Sequence, residues 1–232
     1  MPNSESNTDT AGILSRKERE RLGRRADIVN AAMAVFAYRG FADATLEEIA
    51  EKAEYGKGTI YSYFQGKEDL FDAVLDEGMN RLIELARRSC STSASGFETC
   101  YKEFAREFLS YVFEHSALSA LIMREAHKPG RQTVLKARFP ELIEALRLPL
   151  PERFRLADGS TVDSRQIAYM FLTMVFALYQ ISMPENAVGC AVSPGREVGA
   201  RSMSGDESIQ MLLGVIDLTF FRGILTAETP SA

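Results

Sequence analysis

An all-α fold is predicted for this chain of 232 residues, and three observations predict it. Apolar residues return at the i, i+3, i+4, i+7 spacing of a helix face in segment after segment, and no stretch reads as a strand. The segment boundaries carry helix punctuation: Thr45 stands three residues before Glu48, Gly40 closes an apolar run, and Pro129-Gly130 breaks another. Residues 45–64 hold two short helical patterns around a tight turn, the arrangement of a helix-turn-helix. Neither an internal repeat nor a coiled-coil heptad is found.

Each element follows in order. Residues 1–15 are polar, rich in Ser, Asn, Thr and Asp, and are expected to be disordered. With the basic residues behind them they make an arm over 1–20. A first helix is expected from about Arg24 to Arg39, with Ile28, Ala32, Val35 and Phe36 on one face and Gly40 as its C-cap. In the second, Thr45 caps and Glu48 reaches back, while Leu46, Ile49, Ala50 and Ala53 point inward. A turn at Glu54-Tyr55-Gly56 leads to a third helix from about Lys57 to Phe64. It sinks Ile60 and Phe64 and leaves Gly58, Thr59, Ser62 and Tyr63 outside. A fourth helix begins near Lys67 and carries Leu70, Phe71, Val74, Leu75, Met79, Leu82 and Leu85, linking this head (21–68) to the body (69–232).

In the body, residues 91–96 read as a loop, followed by helices at about 97–115, 117–127 and 131–147. Residues 148–160 are a connection. Two strongly apolar helices close the chain, at about 163–182 and 206–224, separated by a Gly-, Pro- and Ser-rich flexible loop over 184–205.

Net charge is −5, which taken alone argues against a nucleic-acid binder. Its distribution argues otherwise. From Arg16 to Arg25 six basic residues (Arg16, Lys17, Arg19, Arg21, Arg24, Arg25) face two acidic ones (Glu18, Glu20), and the region after Lys67-Glu68 carries the negative balance. The basic run therefore stands directly before the helix-turn-helix. Cys90, Cys100 and Cys190 have no metal spacing, and their odd number fits free thiols in a reducing compartment. Cys90 and Cys100 are a conceivable redox pair, but small semi-buried residues are the plainer reading. No signal peptide is visible, and the apolar stretch from Ile167 to Met183 is interrupted by Thr173, Gln180 and Ser182, so a cytoplasmic protein is expected. G-x-S-x-G, phosphate-loop and H-E-x-x-H patterns are absent, which leaves an enzyme reading without support. No cofactor and no metal site is expected, because the two histidines stand among scattered carboxylates.

Gly58-Thr59-Ile60-Tyr61, with Tyr63-Phe64 and Lys67-Glu68-Asp69-Leu70, resembles the recognition-helix signature of the TetR (tetracycline-repressor-like) transcriptional regulators. Residues 28–53 resemble that family's first two helices. Three positions depart from the pattern: Glu54 sits where a turn Gly is usual, Tyr55 replaces a small aliphatic, and Gly56 replaces a Ser-like cap. Weaker resemblances are MREAH (123–127), RFPEL (138–142) and the closing Phe221-Arg222-Gly223.

The resemblance implies an all-helical DNA-binding head on a helical effector-binding and dimerisation body. It places Lys57, Gly58, Thr59, Ser62 and Tyr63 toward the groove, and Tyr61 and Lys67 toward phosphates. Thr45 caps the helix that crosses the DNA backbone, and Arg24 and Arg25 belong to the basic run that flanks it. The chemistry agrees in part: a helix N-terminus at Thr45 suits a phosphate, and Thr59 offers a hydroxyl and a methyl to bases. The implied function is a homodimeric regulator, most simply a repressor, that binds a pseudo-palindromic operator and releases it on binding a small apolar or amphipathic effector. A DNA-binding or architectural protein that senses no ligand is the alternative. Met123, His127, Phe171 and Met174 are the candidate effector contacts, while His115 reads as a helix C-terminal residue favoured by the dipole.

Overall fold

The computed structural model of the chain describes residues 15–90, 96–126, 132–155, 160–182 and 204–224. Helix α1 (Arg16–Asp43) starts earlier than the sequence reading placed it. Ser15 and Glu18 form a reciprocal capping box: Ser15 Oγ accepts from the Glu18 N–H at 3.2 Å and Glu18 Oε2 accepts from the Ser15 N–H at 2.9 Å. The basic run is therefore helical, which corrects the disordered arm from Arg16 onward; residues 1–14 lie outside the described residues. Gly40 interrupts α1 with φ +78°, a left-handed conformation that a side chain would strain.

Helices α2 (Leu46–Lys52), α3 (Lys57–Tyr63) and α4 (Lys67–Cys90) complete the head. Its core joins Ile28, Phe36, Ile49, Ile60, Phe64 and Phe71, all nearly or fully buried. Rings of Phe36, Phe41 and Phe71 pack with centroids 5.1–5.7 Å apart. Helix α4 belongs to two cores at once. Leu70, Phe71, Val74 and Leu75 lie in the head core; Met79, Ile83, Ala86 and Cys90, further along, lie in the body core.

The body contains α5 (Gly96–Glu114), α6 (Ser116–Ala126), α7 (Gln132–Arg147), α8 (Ser164–Ser182) and α9 (Gly205–Ile216), the last continuing as a π-helical segment over Asp217–Ile224. Ser204 caps α9 with Glu207 in another capping box, so Ser204 and Gly205 belong to that helix start; the rest of the expected loop, 184–203, lies outside the described residues. Tyr101 is fully buried, stacks on Phe171 at 4.2 Å, and donates its hydroxyl to the Leu146 carbonyl at 3.1 Å. Helix α7 packs along α4 and α8, and α9 along α5.

One expectation fails here. Strand β1 (Arg153–Arg155) lies inside the stretch read as a plain connection and pairs antiparallel with β2 (Thr161–Asp163), which follows that stretch. Phe154 is the reason: it is buried, its ring 5.6 Å from that of Phe97, while Arg153 and its partner Asp163 face solvent. Three residues per strand are too few for alternation to stand out in the sequence.

Candidate DNA-binding head and effector cavity

Helix α2 is fixed by the box the sequence announced. Thr45 Oγ1 accepts from the Glu48 N–H at 3.2 Å, and Glu48 Oε2 accepts from the Thr45 N–H at 3.2 Å. The hydrogen bond from the Thr45 N–H is the chief reason the Glu48 carboxyl lies below its ordinary value, and Arg39, 3.0 Å away, adds to it. Thr45 itself is exposed at the helix N-terminus. The turn to α3 carries a left-handed non-glycine, Glu54 at φ +58°. Tyr55 donates its hydroxyl to Asp27 Oδ2 at 2.9 Å and so ties the turn to α1. Gly56 caps α3 with no side-chain hydrogen bond.

Lys57, Gly58, Tyr61 and Ser62 are exposed on α3, while Thr59 and Tyr63 are half-buried. A methyl group added at Gly58 would meet nothing within 4 Å. The protein's own packing therefore does not require glycine there, and open space remains for a partner to approach the backbone. The Lys57 ammonium pairs with the Glu47 carboxylate, which raises the lysine's pKa and lowers the acid's; it also lies 5.9 Å from the Tyr61 ring centroid. Ser62 Oγ donates to the Thr59 carbonyl at 2.6 Å. Arg24 and Arg25 are exposed on α1, and the Arg25 guanidinium lies 5.3 Å from the Phe64 ring centroid, which holds it beside the end of α3.

Lys67 departs from its expected phosphate-facing place. It is half-buried, donates to the carbonyls of Ala42 and Ala44 at 2.8 and 2.9 Å, and lies 4.9 Å from the Phe41 ring. The end of α1 leaves carbonyls without helix partners, and Lys67 satisfies them.

Below the head lies a cavity of about 570 Å³, walled by α1, α4, α5, α6, α7 and α8. Met123 is part of its wall. Phe171 and Met174 are not among its wall residues: Phe171 is in the body core against Tyr101, and Met174 Sδ accepts from Thr219 Oγ1 of the α9 extension at 3.4 Å. His127 lies outside the described residues. His115 follows α5, its N–H donating to the Tyr111 carbonyl and its ring 4.6 Å from the Tyr111 ring.

The residues that do line the cavity from α8 are Tyr169, Leu172, Thr173, Phe176, Ala177, Tyr179 and Gln180. They form a stripe next to the one chosen from sequence. An apolar helix hydrophobic on more than one face gives no rotational phase, so the signal was there but ambiguous. Tyr111 and Lys136 carried no signal at all. Cys90 and Cys100 are free and buried; burial pushes the Cys90 thiol up to about 12, so it stays protonated and unreactive. Among the described residues no group of His, Cys, Asp and Glu could hold a metal ion, and no helix is long and apolar enough to cross a membrane.

Comparison with known proteins now decides the family. Residues 28–74, the span from α1 into α4, match the bacterial regulatory proteins of the tetR family. The HTH-type transcriptional regulator YhgD of Bacillus subtilis, itself uncharacterised, is 30% identical over 160 residues, 68% of this chain and 83% of that protein. The chain belongs to the TetR family. Its N-terminal domain is the helix-turn-helix of that family. The TetR fold extends through the body. A TetR-family regulator from Mesorhizobium loti superposes with a TM-score of 0.64 at 20% identity, covering 90% of this chain and 98% of that one. The regulator FadR from Bacillus subtilis, solved with stearoyl-CoA, superposes at 0.55 with 17% identity, covering 81% and 97%. Against the first curated relatives matched by sequence, the alignment spans only 33–56% of their length.

Proposed function

We propose that this TetR-family protein binds a pseudo-palindromic operator as a homodimer, represses the adjoining promoter, and is released by a small apolar or amphipathic effector. The observation that carries the effector part is the position of the cavity. Helix α6 sends Leu118 and Leu121 into the head core and turns Ser119, Ile122 and Met123 to the cavity. Met33 of α1, a head helix, reaches the same wall. A polar route runs alongside: Arg81 of α4 donates to the cavity-wall Tyr111 hydroxyl and to Asn30 Oδ1 of α1, both at 3.2 Å, with Glu77 at 3.0 Å holding its Nε. An occupant that shifts α6 or Tyr111 would move the head, and it shifts the equilibrium by its difference in affinity for the two arrangements. The cavity also weighs against a DNA-binding protein that senses nothing, because a pocket of this size suits a small molecule. A protein of the same fold, FadR, holds stearoyl-CoA, so the architecture admits an amphipathic ligand.

Dimerisation is supported by the outer face of α8 and α9. Met170, Ile181, Met211 and Leu218 are 42, 81, 47 and 63% exposed there. Gly214 stands on α9 with open space around it, which allows a second helix to approach closely. DNA contact is assigned to Lys57, Gly58, Thr59, Tyr61, Ser62 and Tyr63 of α3, with Thr45 at the α2 N-terminus and Arg24 and Arg25 on α1. Lys67 is kept as a contact only through the charge that remains half-exposed. No Asn, Gln or Arg stands on α3, so DNA shape and methyl contacts carry much of the specificity.

Selection from a randomised duplex pool at near-physiological salt tests the reading. A two-fold-symmetric motif is expected. Retention without symmetry would remove the dimeric operator, and retention without any motif would favour an architectural role.

A further inference from the structure

We infer that the effector carries an uncharged oxygen, a hydroxyl or a carbonyl, on an otherwise apolar body, and that this oxygen hydrogen-bonds the Ser119–Tyr179 pair in the cavity wall. The inference rests on the reading of the cavity as the effector site, and it names the polar group such a ligand must present.

Two hydroxyls of the wall differ from the others. Tyr179 of α8 and Ser119 of α6 both line the cavity, yet they are only 2% and 8% exposed. Elsewhere in the wall, the Tyr111 hydroxyl accepts from Arg81, the Thr173 hydroxyl donates to the Tyr169 and Met170 carbonyls, and Tyr169 faces solvent. The Tyr179 hydroxyl is buried and has no hydrogen-bond partner among the described residues. Burial pushes its phenol up to about 12, with the Ser119 hydroxyl close enough to oppose the rise, so at neutral pH the group keeps its proton. A buried hydroxyl left unpaired is destabilising, and phenylalanine would fill the same space without that cost. The pair also has capacity to spare. Two hydroxyls bring two donors; a bond from either one to the other uses one of them, and the second remains for a group entering from the cavity. A carbonyl would accept it, and a ligand hydroxyl would accept it and donate in return.

The surroundings set the charge of that group. The Phe108 and Phe113 rings stand 6.4 and 6.0 Å from the Tyr179 ring, and Phe108 is itself part of the wall. Lys136, the one charged residue among the described wall residues, is exposed on α7, whereas the pair is buried. A carboxylate or an ammonium brought to the pair would exchange its water for two neutral hydroxyls, while an uncharged oxygen gives up far less. The rest of the buried wall, with Leu75, Met79 and Leu172, is apolar and accepts the body of the ligand. Ser119 follows Leu118, which belongs to the head core, so the bond forms on the helix that joins cavity to head.

Naphthol and methylnaphthalene, which differ by a hydroxyl in place of a methyl, are titrated into the full chain and into its Ser119→Ala and Tyr179→Phe variants, with the fluorescence of the probe as readout. The ratio of the two affinities cancels their different hydration. It is expected to fall about fivefold in Ser119→Ala and about threefold in Tyr179→Phe, almost all of it from naphthol. Acetylnaphthalene, measured in the same way, tells a carbonyl from a hydroxyl. The urea midpoint of ligand-free Tyr179→Phe is expected at or above that of wild type; a lower one would mean that the hydroxyl is already paired in the empty protein, and would overturn the inference. If the variants weaken both probes alike, or neither, the pair is structural or holds a buried water, and the inference is overturned while binding still upholds the cavity as a ligand site. If no probe binds any of the three proteins, the effector site and the inference fall together.

Discussion

Glu54 sits in a conformation that costs a non-glycine residue about 1 kcal/mol, at a position where the family resemblance expects glycine. Glu54→Gly is therefore expected to raise stability by about that amount, read as a higher urea midpoint at unchanged slope. Lys67 is the second residue whose local geometry changes its meaning. Its position in the signature pointed to a phosphate; its ammonium instead joins the Ala42 and Ala44 carbonyls. Lys67→Met keeps the aliphatic stem and removes those bonds, and it is expected to destabilise the head by about 1 kcal/mol. A purely phosphate-facing lysine would leave the urea midpoint where it was. Both features belong to single residues, and the sequence revealed where they stand without revealing what they touch.

At the scale of elements, helix starts were legible because their chemistry is local. The Thr45–Glu48 box closes within one turn, and it appears in the structure as the spacing said. The Ser15–Glu18 box has the same spacing, but the polar run before it and the charges after it read as an unstructured arm. Such boxes also have a pH signature. The Glu48 carboxyl is depressed in the folded protein, so its contribution is present above its ordinary value of 4.5 and is lost as pH falls through the lower folded value. Glu48→Gln is expected to flatten the acid side of the stability–pH curve while leaving its neutral side little steeper or shallower, as followed by circular dichroism. The β1–β2 hairpin was illegible for the opposite reason: what holds it is the burial of Phe154 against Phe97, a contact made from a distant part of the chain.

For the whole molecule, the proposed dimer and the proposed coupling each make a prediction. Leu218→Glu places a charge on the exposed face of the α9 extension, Leu218 being 63% exposed. It is expected to give a folded monomer by sedimentation, with operator affinity at least about tenfold weaker because each head then binds alone. Arg81→Met cuts the route from Tyr111 to Asn30. It is expected to leave binding of a neutral apolar probe such as naphthol within about twofold of wild type while reducing ligand-induced release of the operator. Equal release in wild type and Arg81→Met would place the coupling in α6 packing alone.

The sequence by itself determined the all-helical class, the helix-turn-helix and the family, because caps, turn residues and apolar periodicity are written within a few neighbouring residues. It also placed the basic run beside the head, a matter of counting charge. Tertiary structure alone decided which face of α8 lines the cavity, that Phe171 and Met174 stand outside it, and that Lys136 and Tyr111 belong to it. Each of those depends on the rotation of one apolar helix against several others. That angle is set by packing between residues far apart in the chain, and no single segment records it.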